Sequence, residues 1–591
     1  MDGWSGKETE KTGGKRKMKR KFLEAKFITI MAVVMFLAGT NTMSVLAALK
    51  EETFEASEEK PLPTEFAHIF TCAVEGDNQI VIRGQVEGSW SDPSFYDNSL
   101  YLFELQPYED HLEGRTDYCG QITKGEELSF TVPLNLGTDK SRLYSKFVVA
   151  VFDGAEYKQI SNAVYLTNPE AVGKNPEPYP TARSKKGLLI EPKESMLSDA
   201  FELGVNHGIV NITCDFIMGQ GIDYVCDGKT YSFSKSAMEH LDQIIGAMTQ
   251  ENVIVTAVIL NKWNDNTPQL FYPGARKHPE DQVFYYGFHA STKEGYETIK
   301  AVASFLADRY GRTNSMHGKI SNWIIGNEIN NQQWNYMGGM NVDQYVQEYE
   351  RAFRVFYTAI RSRNQNDRLF FSIDFNWNQG ADDKTRYNGK DIVDKMAERT
   401  RVGGVLDWGL AYHPYAIPLT EPEFWDDDQT GLITYDSVSP VINLKNLDVL
   451  TNYMQDSSLL DGSGNVRPII LSEQGFTSVS PTRGQNDDLQ AAAIAYAYYV
   501  ADSNPYIDAF IMSRQVDAPS EAEYFQNFGL WECDRNQPYD IVPTTRKKSW
   551  SVYKDIDDSN ISLETTQFAK PIIGIERWSD VIPNFRWSGK E

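Results

Sequence analysis

The stretch Ser321-Asn-Trp-Ile-Ile-Gly-Asn-Glu-Ile-Asn330 reads as a short strand that stops abruptly. Trp323, Ile324 and Ile325 are apolar without alternation, the pattern of a strand covered on both faces. The run then breaks into Gly326, Asn327, Glu328 and Asn330. A carboxylate and two amides are poor core material. They fit a strand that ends at the floor of a polar pocket. Arg467-Pro-Ile-Ile-Leu-Ser-Glu-Gln-Gly-Phe476 has the same form, an apolar run ending at Glu473 and Gln474.

Around these two stretches, strands and helices alternate. The other predicted strands are Gly187 to Ile190, Gly208 to Thr213, Val253 to Ile259, Leu369 to Ile373, Leu406 to Ala411 and Ala509 to Ser513. The intervening helices are predicted at Met196 to Leu203, Lys235 to Gln250, Tyr296 to Tyr310, Val342 to Arg363, Lys390 to Arg399, Leu447 to Asp456 and Leu489 to Asp502, with a last one at Arg546 to Asp555. Eight such units over residues 185–558 predict a (β/α)8 TIM barrel. On that numbering the Glu328 strand is fourth and the Glu473 strand is seventh, across the barrel from each other. The excess length lies in loops after strands three, six and eight, on the carboxyl face where such barrels hold their sites.

Upstream, residues 65–168 form short alternating runs such as Gln79 to Gly84 and Lys146 to Phe152, with a hairpin turn at Asp153-Gly154. They predict a small all-β sandwich, accessory to the barrel or a carbohydrate-binding module. Residues 169–184, rich in proline, are the linker. Residues 1–47 read as a signal peptide: a basic run from Lys15 to Lys21, an apolar core from Phe27 to Leu37, and small residues near Ala47. The polar leader before Met18 suggests translation starting there. A secreted or cell-surface protein with no membrane span after cleavage is expected; an uncleaved membrane anchor is the alternative. Residues 48–64 form a Glu- and Pro-rich linker, and 559–591 a C-terminal arm.

The chain has 591 residues, 41 % of them hydrophobic, and a formal net charge of −25. It is globular, and its acidity argues against nucleic acid as a partner. The five cysteines include no C-x-x-C pair, so a zinc knuckle is not indicated. Cys72 with Cys119, or Cys214 with Cys226, could pair, or all could be free buried thiols. No H-E-x-x-H, G-x-S-x-G or P-loop motif is present. Asp426-Asp-Asp428 reads as a solvated charge run rather than a calcium site.

Two carboxylates facing each other over a barrel mouth are what glycoside hydrolysis requires. His413-Pro-Tyr415 adds two polar rings at the end of strand six. Asn211 with Asp215, Asn261, and Asp374 with Asn376 stand at other strand ends and could bind hydroxyls. Trp263, Trp334, Trp377, Trp425 and Trp531 lie in strand-end loops, where rings could stack on sugar C–H faces.

Asn327-Glu328 ending strand four and Glu473 ending strand seven resemble the retaining glycoside hydrolases of clan A. More narrowly, the chain resembles a secreted bacterial family known only as a domain of unknown function, which implies no substrate. The clan resemblance implies Glu328 as general acid/base, Glu473 as nucleophile and Asn327 as partner of the sugar 2-hydroxyl. It also implies that Tyr415 holds Glu473 and that His413 touches substrate or Glu328. It implies a β-linked carbohydrate substrate; no cofactor is expected, and no His/Cys/Asp set has metal-ligand spacing. Strand eight departs from the pattern: Ser513-Arg-Gln515 stands where clan members often carry tryptophan, and Trp531 is the candidate to replace it. The expected substrate-contacting set is Asn327, His413, Tyr415, Asn211, Asn261, Asn376, Trp334, Trp377 and Trp531. The expectation is thus a secreted retaining glycosidase acting on plant or microbial polysaccharide or its oligosaccharides. The alternatives are a non-catalytic carbohydrate-binding protein on the same scaffold and a barrel hydrolase cutting a non-sugar bond.

Overall fold

A computed structural model describes residues 66–86, 97–382 and 384–590. The expected signal peptide and the first linker lie outside the described residues. Eight parallel strands close into a barrel in chain order. They are β1 Lys186–Leu189, β2 His207–Thr213, β3 Ile254–Leu260, β4 Asn322–Ile325, β5 Arg368–Asp374, β6 Trp408–His413, β7 Ile469–Gln474 and β8 Ile507–Met512. Closure is direct, with Phe510 of β8 paired to Lys186 of β1. The outer helices are α1 Glu194–Leu203, α2 Lys235–Gln250, α3 Lys293–Arg309, α4 Val342–Arg361, α5 Gly389–Val402, α6 Leu447–Tyr453, α7 Asp487–Ser503 and α8 Lys548–Asp555.

The unbroken apolar runs have a simple cause, since both strand faces are buried. Ile209, Val258, Ile324, Phe370, Ala411, Ile470, Ala509 and Ile511 fill the barrel interior. Their neighbours Val210, Ile259, Trp323, Phe371, Leu410, Leu471 and Phe510 pack outward against the helices. This parity sets which strand-end residues face the mouth, because side chains two apart share a face. Helix starts are fixed by side-chain caps: Ser234 accepts from Ala237 N, Thr292 from Gly295 N, Asn341 from Gln344 N and Asn486 from Leu489 N.

Upstream, a three-stranded sheet (Ala67–Glu75, Gln79–Val86, Glu127–Pro133) and a five-stranded sheet built on Ser99–Leu105 and Lys146–Phe152 share one core. This unit is tied to the flank of the barrel. Tyr165 N donates to Gly403 O at 3.0 Å, Arg351 of α4 pairs with Asp110 at 2.9 Å, and Tyr144 and Tyr108 pack on Tyr296 of α3.

One reading of the sequence needs correction, the solvated run at Asp426 to Asp428, and two left open take definite form. The C-terminal arm contains no strand; it forms the short helices Ser562–Thr565 and Ala569–Ile573 and then lays Trp578, Phe585 and Trp587 around Tyr499 of α7. Those rings bury the outer face of an alanine-rich helix that sequence alone leaves uncovered. Asp427 is not solvated; it is buried and accepts from Ile417 N and Asn443 Nδ2, anchoring the loop after β6. Burial pushes its carboxyl up to about 7. The five cysteines are free, four of them buried. Among the described residues no helix is long and apolar enough to cross a membrane.

Candidate active site

The sequence at the end of β4 forces its side chains into the mouth. Gly326 has φ 78°, and a Cβ there would lie 2.6 Å from Asn335 Oδ1. Two residues on, Glu328 itself has φ 41°, a left-handed conformation unusual for a non-glycine residue. The neighbouring strand holds it there: Glu328 N donates to Ser372 Oγ at 2.9 Å, and Asn331 N donates to Glu328 O at 2.8 Å. The distorted turn brings the carboxyl against His413 at the end of β6, two strands away.

β7 uses a different device. Its register with β8 slips between Leu471 and Gln474, where three steps along β7 span two along β8. This extra residue is a bulge, which breaks the two-residue alternation. Ser472 and Glu473, adjacent in sequence, therefore both line the cleft. Gln474 turns away and donates to Ile511 O at 2.7 Å.

The two carboxyls meet with His413 between them. One oxygen of Glu328, one of Glu473 and a nitrogen of His413 all lie within 4.8 Å of one another. His413 Nδ1 is 2.9 Å from Glu328 Oε1 and 3.9 Å from Glu473 Oε2; its Nε2 is 3.1 Å from Ser472 Oγ. Tyr415 donates its hydroxyl to Glu473 Oε1 at 2.8 Å and lies 3.1 Å from Ser513 Oγ. Glu328 and His413 are buried, while the side chain of Glu473 is 39 % exposed to the cleft.

Environment separates the two acids. Glu328 is pushed up to about 7, chiefly by burial with help from Asp374 and Glu473, against the hydrogen bond and charge of His413. Burial alone would lower His413, but the charges of Glu473, Glu328 and Asp374 outweigh it, so the imidazole is raised. Asp374 is fixed by Asn330 Nδ2 at 2.6 Å and Asn376 Nδ2 at 2.7 Å.

Glu328, His413 and Glu473 also form the one cluster among the described residues that could hold a metal ion. Sequence spacing does not reveal it, because the three come from separate strands. Both imidazole nitrogens already contact oxygen partners, so a metal would have to displace one of them.

Two lobes of a single cleft, about 410 and 140 Å³, share Glu328, Trp334, Glu473, Arg514, Glu521 and Gln526 in their walls. One wall is aromatic, with Trp334 stacked on Phe284 at 4.6 Å beside Tyr285. A larger cavity, about 720 Å³, lies away from this cleft, between the upstream sheets, the hairpin Gly221–Cys226/Lys229–Ser234 and the ends of α3 and α4. The facing carboxylates are not among its residues.

Of the two acids and the nine expected substrate contacts, Asn211, Asn327, Glu328, Trp334, His413, Tyr415 and Glu473 line the cleft. Four do not. Asn261 follows the inward Leu260 and so faces the other side, where it is buried and donates to Leu270 O at 3.0 Å. Asn376 lies behind the wall and holds Asp374. Trp377 is fully buried, donates to Ser437 O and packs on Tyr453. Trp531 does not swing in; its indole donates to Asp199 Oδ2 at 3.0 Å, behind the β8 loop. Ser513 and Arg514 occupy the β8 position instead. Sequence reasoning missed Arg514, Glu521, Gln526, Phe284 and Ser472. Inward parity from Ala509 and Ile511 marks Ser513, but nothing local marks residues 521 and 526.

Comparison with known proteins gives a family and distant likenesses. The model of a family of unknown function (DUF5722) matches residues 178–581. No curated protein sequence matches. Similar solved structures include a family 39 glycoside hydrolase from Bacteroides cellulosilyticus WH2, at 17 % identity and TM-score 0.42 over 79 % of this chain and 78 % of that one. They also include a family 1 β-glucosidase from Thermotoga maritima, at 12 % and 0.37 over 63 % and 86 %. A β-D-glucuronidase from Dictyoglomus thermophilum matches at 12 % and 0.32 over 90 % and 76 %. Likeness at that level carries no argument about chemistry, which rests on the cleft itself. The family match spans the whole barrel and most of the arm packed on α7: the chain belongs to the DUF5722 family.

Proposed function

We propose that this protein is an exported glycosidase that cleaves β-linked carbohydrate with retention of configuration. The observation that carries the reading is the pair Glu328 and Glu473, with carboxyl oxygens within 4.8 Å across an open cleft. Retaining enzymes hold their carboxyls roughly 5–5.5 Å apart, and inverting ones need room for a water at roughly 6.5–9.5 Å.

The different environments assign the roles. Glu328, buried and raised to about 7, holds a proton near neutrality and gives it to the leaving oxygen. Glu473, half-exposed and oriented by Tyr415, attacks the anomeric carbon as the glycosidic C–O bond breaks. In the second half, Glu328 takes a proton from water, and the hydroxyl oxygen displaces Glu473 from the anomeric carbon. Asn327 lines the same wall and would bind the sugar beside the reacting carbon. Trp334 and Phe284 offer a flat apolar face for the sugar ring.

A panel of chromogenic β-glycosides and of plant and microbial polysaccharides tests the proposal, with product anomers followed by NMR. Turnover giving the β-anomer first is expected. Glycan binding without any turnover would replace it with a binding role, and an α-anomer formed first would remove the covalent intermediate.

A further inference from the structure

We propose that Arg514, Glu521 and Gln526 form a hydroxyl-reading subsite that accepts a neutral sugar and rejects a hexuronic acid; this rests on the glycosidase reading above. The three residues sit on the loop after β8 and line both lobes of the cleft beside Glu473.

The first argument is a charge balance. Each arginine lining the cleft is already matched by an acid, and His413 lies against Glu328. Arg514 is paired with Glu521. Arg386 lies 4.0 Å from Asp374, and Lys262 lies 3.2 Å from Glu280. Beyond those pairs stands Glu473. A sugar carboxylate entering here would face the carboxylates of Glu473 and Glu521, with the Arg514 charge already matched by Glu521. It would lose its water without gaining a partner.

The second argument is the set of unused hydrogen-bonding atoms. Arg514 Nε and Gln526 Nε2 are both buried without a protein acceptor, and Gln526 as a whole is only 5 % exposed. Buried donors are ordinarily satisfied, so these two await an acceptor. The Glu521 carboxylate beside them is acceptor-only while ionised. Donors next to an acceptor complement sugar hydroxyls, each of which both donates and accepts. A carboxylate only accepts, and so repels Glu521.

The loop is stiff enough to hold such a pattern. Lys547 Nζ is buried against Asp517 Oδ1 at 2.8 Å and Asn527 O at 3.2 Å, and Asp517 Oδ1 also accepts from Gly529 N at 2.8 Å. Gly529 has no room for a side chain, since a Cβ would lie 2.2 Å from Asp517 N.

The test compares β-hexosides with the matching β-hexuronides on the intact protein. Neutral sugars should be preferred by about 100-fold or more in kcat/KM. Equal or better turnover of the hexuronide overturns the proposal and leaves the glycosidase reading standing. Glu521→Gln uncovers the Arg514 charge, so the hexuronide-to-hexoside ratio should rise about tenfold or more; an unchanged ratio overturns it. Gln526→Ala should raise KM for the parent hexoside, yet leave unchanged the KM for the deoxy analogue lacking the hydroxyl it reads. Equal losses on every deoxy analogue would show a merely structural role. If neither class is hydrolysed, the glycosidase reading fails. Calorimetric binding of neutral against uronic oligosaccharides then still decides the charge assignment: preference for the neutral sugar supports it, and preference for the uronic sugar or no binding overturns it.

Discussion

The two ends of the cleft carry the same residue type at the same kind of position, and treat it in opposite ways. At β4 a strained turn sinks Glu328 against His413 and away from water, and its carboxyl is raised to about 7. At β7 a bulge lifts Glu473 into the open cleft, where a tyrosine hydroxyl steadies it. Burial disfavours the charged form of a carboxyl. In the proposed mechanism one backbone distortion makes the acid and the other exposes the nucleophile. Two glutamates at a strand end are not catalysis by themselves; the asymmetry between them is what divides the labour.

The largest expected effect comes from removing the exposed member. Glu473→Ala should lower kcat by about four orders of magnitude or more, since no covalent intermediate can form. Added azide should restore part of the rate and release an α-glycosyl azide. Glu328→Ala should cost about 10² to 10⁴-fold on substrates with poor leaving groups and far less on aryl glycosides that need no acid. It should also abolish the alkaline limb of the pH–rate profile, which in the parent falls as Glu328 loses its proton near 7. If both variants lost activity equally on every leaving group, the division of roles would be broken.

Smaller changes sharpen the comparison. Tyr415→Phe removes one charge-assisted hydrogen bond from Glu473, about 1.5–3 kcal/mol, so kcat should fall about 10- to 150-fold while the fold is retained. Trp334→Ala should raise KM by about 2- to 10-fold through lost stacking, and Trp531→Phe should leave KM unchanged because that indole faces Asp199. The smallest effect is on stability. Glu328 holds its proton in the native state from about pH 4.5 up to about 7, where the unfolded chain has released its own. The native state then binds more protons than the unfolded one, so this group makes stability fall as pH rises through that window. Glu328→Gln should therefore raise Tm above pH 7 relative to the parent and change it little below pH 4.5. Thermal melts across pH check the sign.

The barrel was legible because strands buried on both faces must be apolar without alternation, and runs such as Val253–Ile259 show it plainly. The two glutamates were legible for the same reason, since polar residues that end such a run have few other uses. What failed was parity. Asn261 and Asn327 read alike in sequence, but Asn261 follows an inward leucine and faces out. The bulge at β7 breaks parity in the opposite sense, bringing Ser472 and Glu473 to one side. Trp377 and Trp531 were misplaced because loop tryptophans are placed by tertiary packing, against Tyr453 and Asp199, which no local pattern encodes. The β8 loop contributes Glu521 and Gln526 through its fold back over the mouth, a path set by the buried Lys547–Asp517 pair.

The most direct test is to trap the intermediate. A 2-deoxy-2-fluoro β-glycoside with a good leaving group, matched to whichever sugar is turned over, should inactivate the enzyme and add one glycosyl unit. Peptide mass mapping should place that unit on Glu473. A label on Glu328, or normal turnover with no adduct on either acid, would contradict the assignment.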